Sequence, residues 1–271
     1  MKNILKDTLL HSLSVFGVLW AILAACKGLN FVYYIILILL SILLGTLCSF
    51  CKNRKLTKIS LLINKNKVEI IFGDIFNQSG TRAIPVSQLL FEDDVIENSI
   101  QDQLINNFIT EYGSLRWKKV YQQELKESTQ GLKFSSILRD GIKLAQYPIG
   151  TCFNVDLKAI KYIFVTLTKT EAREHIPSNN CTPNQVLDAL QGFWQHIINS
   201  GSKNEDINIP LFGASTAGIG LDLHHILNLN LLSIYNATVK NEVVTSKIIR
   251  IVLHNSSKNK VDLRLFQSMY K

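Results

Sequence analysis

The stretch IPLFGASTAGIG, residues 209–220, sets Gly213, Gly218 and Gly220 among Ala214, Ser215, Thr216, Ala217 and Ile219, directly behind a short apolar run. Small side chains let an anion approach the main chain closely. A loop between a strand and a helix also aims backbone N–H groups and the helix N-terminus at that anion. Gly213 and Gly218 satisfy the GxxxxG half of a P-loop, but Ile219 and Gly220 stand where Lys and Ser/Thr belong. A terminal phosphate then lacks a counter-ion and Mg²⁺ lacks a hydroxyl ligand, which disfavours nucleoside triphosphate hydrolysis. The spacing GxGxxG is absent and the loop lies near the C-terminus, which disfavours dinucleotide redox chemistry. What remains is a diphosphate held across Ser215–Gly220 by neutral backbone donors, set against a glycine-rich turn with no ligand.

Other reactive side chains offer less. Glu92, Asp93 and Asp94 could supply a general base, but three consecutive acids usually form a solvated surface. His224 and His225 are adjacent on an expected helix, so they point about 100° apart and cannot ligate one metal. Cys48 and Cys51 have CxxC spacing without a second pair, and Cys26, Cys152 and Cys181 are scattered. An odd count without a framework suits a reducing compartment. No metal or cofactor is expected.

The elements that would position the loop are legible as an alternation of strands and helices. Strands are expected at residues 68–73, 82–86, around 145–155, 161–168, 207–213 and 246–255. Leu104, Ile105, Phe108 and Ile109 mark the apolar face of a helix over 102–113. Residues 182–201 form a helix with a Thr cap, Pro at its first position and a terminal Gly, and residues 221–238 form another. This alternation predicts an α/β sandwich with helices on both faces of a mixed sheet. Residues 114–140 read as a polar insertion.

The N-terminal end differs in kind. Residues 31–50 run without a charge, and at about 1.5 Å per residue a helix of that length spans the ~30 Å hydrocarbon core. Residues 9–25 are apolar apart from His11 and a few small polar groups, at the lower limit for a span; the competing reading is a signal peptide. The expected organisation is therefore a transmembrane hairpin over 1–52, with spans at 9–25 and 31–50, a basic juxtamembrane linker over 53–67, and a cytoplasmic domain over 68–271. The formal charge of +8 divides to match: residues 1–58 hold seven Lys/Arg against Asp7, the rest 22 basic against 20 acidic residues. No excess remains in the domain to neutralise a phosphate polymer, which argues against nucleic acid. The cluster at Lys52, Arg54, Lys55 and Lys58, with Lys2 and Lys6, places both termini in the cytoplasm.

The segment FGDIFNQSGTRAIPVSQ, residues 72–88, adds a Gly-Asp-Ile turn after the first strand, followed by a strand ending in PVSQ. Here the chain resembles a macro domain, the ADP-ribose-binding α/β module. The resemblance implies that Asp74 meets the adenine amino group and that Ile75 offers a neighbouring backbone donor. It puts Ser87 and Gln88 beside the distal ribose, residues 213–220 on the diphosphate and Asn255 near the adenosine. With two spans in front, GDIF…AIPV, YPIGT and PLFGASTAGIGL make the chain similar to the membrane-anchored effectors of Thoeris antiphage defence. That similarity implies an inner-membrane receptor and effector rather than an enzyme. Its signal would be an ADP-ribose derivative, a histidine conjugate made from NAD by a TIR-domain partner. Binding would drive self-association and disruption of the lipid bilayer. The alternative is a membrane-tethered ADP-ribosyl hydrolase. Hydrolytic macro domains carry Asn-rich sequence after the second strand, whereas this chain has Ser87 and Gln88 there.

Overall fold

The computed structural model describes residues 13–15, 17, 18, 20, 35, 36, 39–47, 56–90, 95, 97–139, 141–157, 160–168, 181–200, 204–214, 219–240 and 247–270. The chain divides into two compact units, Met1–Leu56 and Thr57–Lys271. In the first, most of the span expected at 9–25 and parts of the span expected at 31–50 lie outside the described residues. Residues 39–47 are helical, with Leu39, Leu43 and Leu47 exposed and Ser41 and Gly45 buried. Among the described residues no helix is long and apolar enough to cross a membrane.

The second unit is built on seven strands: β1 (Lys58–Ile63), β2 (Asn66–Phe72), β3 (Thr81–Ser87), β6 (Cys152–Leu157), β7 (Ile160–Thr168), β8 (Ile207–Pro210) and β9 (Ile248–Leu253). Their order is β1-β2-β9-β8-β3-β7-β6, with β1 and β6 antiparallel to their neighbours and the inner five parallel. A separate hairpin, β4 (Ser135–Arg139) and β5 (Ile142–Gln146), stands outside this sheet. The inner strands are buried on both faces, as their near-continuous Val, Ile and Phe content requires; Ile163, Phe164 and Val165 of β7 have no exposed surface.

Helices α1 (Ile100–Tyr112) and α2 (Ser114–Ser128) cover one face, packing Leu104, Phe108, Trp117 and Tyr121 onto Ile84, Phe153 and Phe164. Helices α3 (Pro183–Ser200) and α4 (Leu223–Lys240) pack together on the other, joined by a bond from Trp194 Nε1 to Ser233 Oγ (3.0 Å). A short α5 (Leu263–Met269) packs on β1. Helix α3 begins as its sequence predicts: the Thr182 hydroxyl accepts from the Gln185 N–H and the Gln185 side chain accepts from the Thr182 N–H, a reciprocal cap ahead of Pro183.

Three boundaries depart from expectation. The linker expected over 53–67 contains β1, whose residues alternate exposed and buried along KISLLI and pair with β2; the period of two was masked by the nearby basic cluster. The strand expected around 145–155 is broken by a turn at 147–151 between β5 and β6. The supposed insertion is largely α2, whose Trp117 and Tyr121 are buried among polar neighbours.

Glu69 on β2 is buried yet ionised, met by Lys58 (2.9 Å), Arg250 (3.2 Å) and Lys67 (3.4 Å). Burial pushes its carboxyl up; the three cations more than reverse this and hold it below the usual range. A carboxyl depressed on folding contributes stability that is present above its unfolded value, about 4.3, and lost as pH falls through the folded one. Melting temperature should therefore drop on acidification below that point. Glu69→Gln should start lower at neutral pH and fall less steeply, which thermal melts across the acid range would check.

Candidate functional site

Two adjacent parallel strands make the site. After β3 the chain leaves over the α1/α2 face, and after β8 it leaves over the face of α3 and α4. Strands whose connections depart on opposite faces define a switch point, where open α/β sheets bind ligands. β3 and β8 pair only at Thr81↔Ile207 and Arg82↔Asn208 and then separate, so a crevice opens between their carboxyl ends. The resulting cleft has a volume of about 640 Å³, within the range of small-molecule sites.

At one end of the cleft lies the turn after β2. Gly73, Asp74 and Ile75 line it, and Asp74 is exposed. Its Oδ1 accepts from the Phe76 N–H (2.8 Å), capping a 3-10 turn over Ile75–Asn77. The cap occupies one carboxylate oxygen, while Oδ2 has no partner among the described residues. The Ile75 N–H likewise meets no acceptor among them. Both are thus available to a ligand.

In the middle lies the start of the glycine loop. Pro210 to Ala214 line the cleft. Gly213 has φ +90°, and a Cβ there would stand 3.0 Å from Val186 Cγ2 and 3.2 Å from Ile219 Cδ1. Buried Asn230 on α4 holds this segment: its Oδ1 accepts from the Phe212 N–H (3.2 Å), and its Nδ2 donates to the Phe212 carbonyl (3.0 Å). Ser215, Thr216, Ala217 and Gly218 lie outside the described residues. Ile219 and Gly220 follow on the way into α4 and do not line the cleft among the described residues; Gly220 has φ +69°.

At the far end, Ser87 lines the cleft, and its Oγ accepts from the Leu89 N–H (3.1 Å). Gln88 does not line it. Its side chain is buried and accepts from Gln146 Nε2 (3.3 Å), so it fastens the β4–β5 hairpin to the end of β3. Gln88 lies past the end of β3, in the turn that leaves the strand. Glu92, Asp93 and Asp94 lie outside the described residues.

Several lining residues carried no sequence signal. Asn255 is exposed and outside the lining; the corner after β9 presents His254, Ser256, Ser257 and Lys260 instead. His254 Nδ1 accepts from the Ser256 N–H (3.3 Å) and lies 2.8 Å from the Ser256 hydroxyl. The capping segment and start of α1, Asn98 to Gln101, and Thr168 at the end of β7 complete the wall. Thr168 was findable by the switch-point rule, since it ends a strand parallel to β3.

Neither His224 nor His225 lines the cleft. His224 binds Asp222 Oδ1 through Nδ1 (2.8 Å) and accepts the Asp262 N–H at Nε2 (3.2 Å), which makes it a brace between α4 and α5. Hydrogen bonds from the His224 amide and ring hold Asp222 below the usual carboxylate range, and Arg264 does the same for Asp262. Burial pushes the Cys152 and Cys181 thiols up to about 12 and about 11, too high for thiolate chemistry at neutral pH. Among the described residues no group of three His, Cys, Asp or Glu could hold a metal ion.

A mixed sheet between helical layers, with a cleft at the carboxyl ends of its parallel strands, defines an α/β domain of macrodomain type. Solved structures share the fold. The Oceanobacillus iheyensis macrodomain with ADP is 15% identical, with 78% of this chain and 96% of that one covered and a TM-score of 0.52. A mutant of that macrodomain with ADPR is 14% identical, with 79% and 100% covered and a TM-score of 0.52. The family profile described as Thoeris protein ThsA, Macro domain, matches residues 68–254, and the chain belongs to that family. Among curated proteins no sequence matches.

Proposed function

We propose that the chain is a membrane-anchored effector of Thoeris defence whose cleft receives an ADP-ribose-derived signal. The observation that carries this reading is the juxtaposition, in one cleft, of the Asp74–Ile75 turn and the Gly213 loop at the point where β3 and β8 part. The first offers a free carboxylate oxygen and an open N–H to an adenine edge. The second offers backbone donors to a diphosphate. The structurally similar macrodomains were solved with ADP and ADPR.

Anchoring rests on the two apolar runs at 9–25 and 31–50, with the basic cluster keeping both termini cytoplasmic in the inner membrane. The described helix at 39–47 supports it by exposing leucines, while Ser41 and Gly45 are the buried positions, small enough for close helix packing. A TIR-domain partner would make the signal, with histidine on the distal ribose, and bound chains would assemble and breach the bilayer. A hundredfold shift of the population ratio towards the assembled state requires about 2.7 kcal/mol of differential affinity.

Calorimetry on the full chain in detergent micelles tests the receptor reading. ADP-ribose or its histidine conjugate should bind, and Asp74→Ala should weaken binding by about 2 kcal/mol, the size of a hydrogen bond to a charged group. No heat with either compound would sink the proposal. Release of free ADP-ribose from a modified protein would establish the hydrolase instead.

A further inference from the structure

The glycine loop carries no cation in its own sequence, but the cleft it borders has one on its wall. Lys260 lines the same cleft as Gly213, Ala214 and Leu223. Its N–H donates to the Ser257 carbonyl (2.9 Å), and two residues on, the Asp262 N–H donates to His224 Nε2 (3.2 Å). His224 is the second residue of α4, the helix that leaves the glycine loop. The bond therefore ties the segment carrying Lys260 to the exit of that loop. Parallel stacking of the His224 ring on Phe266, with centroids 5.9 Å apart, fixes the same junction from the other side.

The acids nearby are already engaged. Asp222 is held by His224 and Asp262 by Arg264. Lys260 is exposed and has no ion-pair partner among the described residues. An unpaired ammonium on the wall of a cleft raises the local concentration of anions and favours the one that reaches it.

We infer that Lys260 supplies the counter-charge to the ligand's pyrophosphate, the part a P-loop gives to a lysine inside its own loop. Here that lysine comes from beyond β9, forty residues after Gly220. The inference rests on the ADP-ribose reading of the cleft and adds a specificity to it: ligands bearing a diphosphate are selected over the bare nucleoside by charge as well as by fit.

Binding of ADP-ribose and of adenosine is measured on the full chain in detergent micelles, at low and high salt, for the unaltered protein, Lys260→Met and Lys260→Arg. Lys260→Met should weaken ADP-ribose roughly tenfold and flatten its salt dependence, with adenosine unaffected; Lys260→Arg should retain most of the affinity. Equal ADP-ribose affinity and salt dependence in Lys260→Met would overturn the inference while leaving the receptor reading intact. So would a parallel loss for adenosine, which marks a structural role. No binding of ADP-ribose by the unaltered chain would overturn both.

Discussion

Gly192→Ala is expected to destabilise the domain by about 3 kcal/mol or more, at the upper end of what overpacking costs. The added Cβ would stand 2.1 Å from the Gly150 carbonyl oxygen, 2.7 Å from its carbon and 2.8 Å from its Cα, so it meets backbone rather than a yielding side chain. The turn at 147–151 cannot retreat easily. Gly150 donates its N–H to the Thr166 carbonyl (2.9 Å), and the buried Thr166 hydroxyl donates to the Pro148 carbonyl (2.6 Å) and accepts from the Thr151 N–H (2.9 Å). Gly150 has φ +80°, and its own Cβ position is closed by the Asp188 carbonyl at 2.6 Å.

The clash would also reach the cleft. Next to this turn the Tyr147 N–H donates to the Gln88 carbonyl, and the Gln88 N–H donates to the carbonyl of cleft-lining Thr168. A shift of the turn thus moves the ends of β3 and β7 together. Thermal melts decide the matter, with Gln191→Ala on the exposed side of the same helix expected to change stability by no more than about 0.5 kcal/mol. A melting temperature for Gly192→Ala equal to that of the control would show that the turn can give way.

The parts of this fold legible in sequence are those where one residue's chemistry dictates its own local geometry. Thr182 and Pro183 announce the start of α3, and the apolar content of Ile163, Phe164 and Val165 announces an inner strand. The Gly-Asp-Ile turn and the glycine loop fall at the ends of β2 and β8, where a switch-point cleft needs them. What stayed hidden depends on partners distant in the chain. β1 is a strand because β2 supplies its ladder, and α2 is a helix whose fully buried residues are Trp117 and Tyr121, with Leu125 packed beside them. Gln88 adjoins Ser87 in sequence, yet its buried amide faces Gln146, 58 residues away. Asn255 begins the corner after β9 without lining the cleft, which that corner reaches through Ser256, Ser257 and Lys260.

Asn230 is the strongest case of such a hidden residue, and its replacement should carry the second large effect. With no exposed surface, it satisfies both backbone groups of Phe212 and also donates to the Ile226 carbonyl (2.8 Å), while its own carbonyl accepts from Ser233 Oγ (2.7 Å). Asn230→Leu keeps the volume and strands the Phe212 N–H and C=O away from water. At about 1–3 kcal/mol for each stranded group, the expected loss is about 3–5 kcal/mol, read from denaturant midpoints. Because Phe212 precedes Gly213, ADP-ribose affinity should fall with it even at temperatures where the variant stays folded. Asn230→Asp separates the two halves of the bracket. An ionised aspartate still accepts from the Phe212 N–H but presents a carboxylate to the Phe212 carbonyl, so at neutral pH it should be at least as damaging. Burial and that repulsion raise the aspartate's pKa on folding. Stability is therefore regained as pH falls and the protonated acid donates to the carbonyl in the amide's place. A variant that weakens on acidification at least as much as the unaltered protein does would mean that the Phe212 carbonyl has found another donor and that the loop is not held by this side chain.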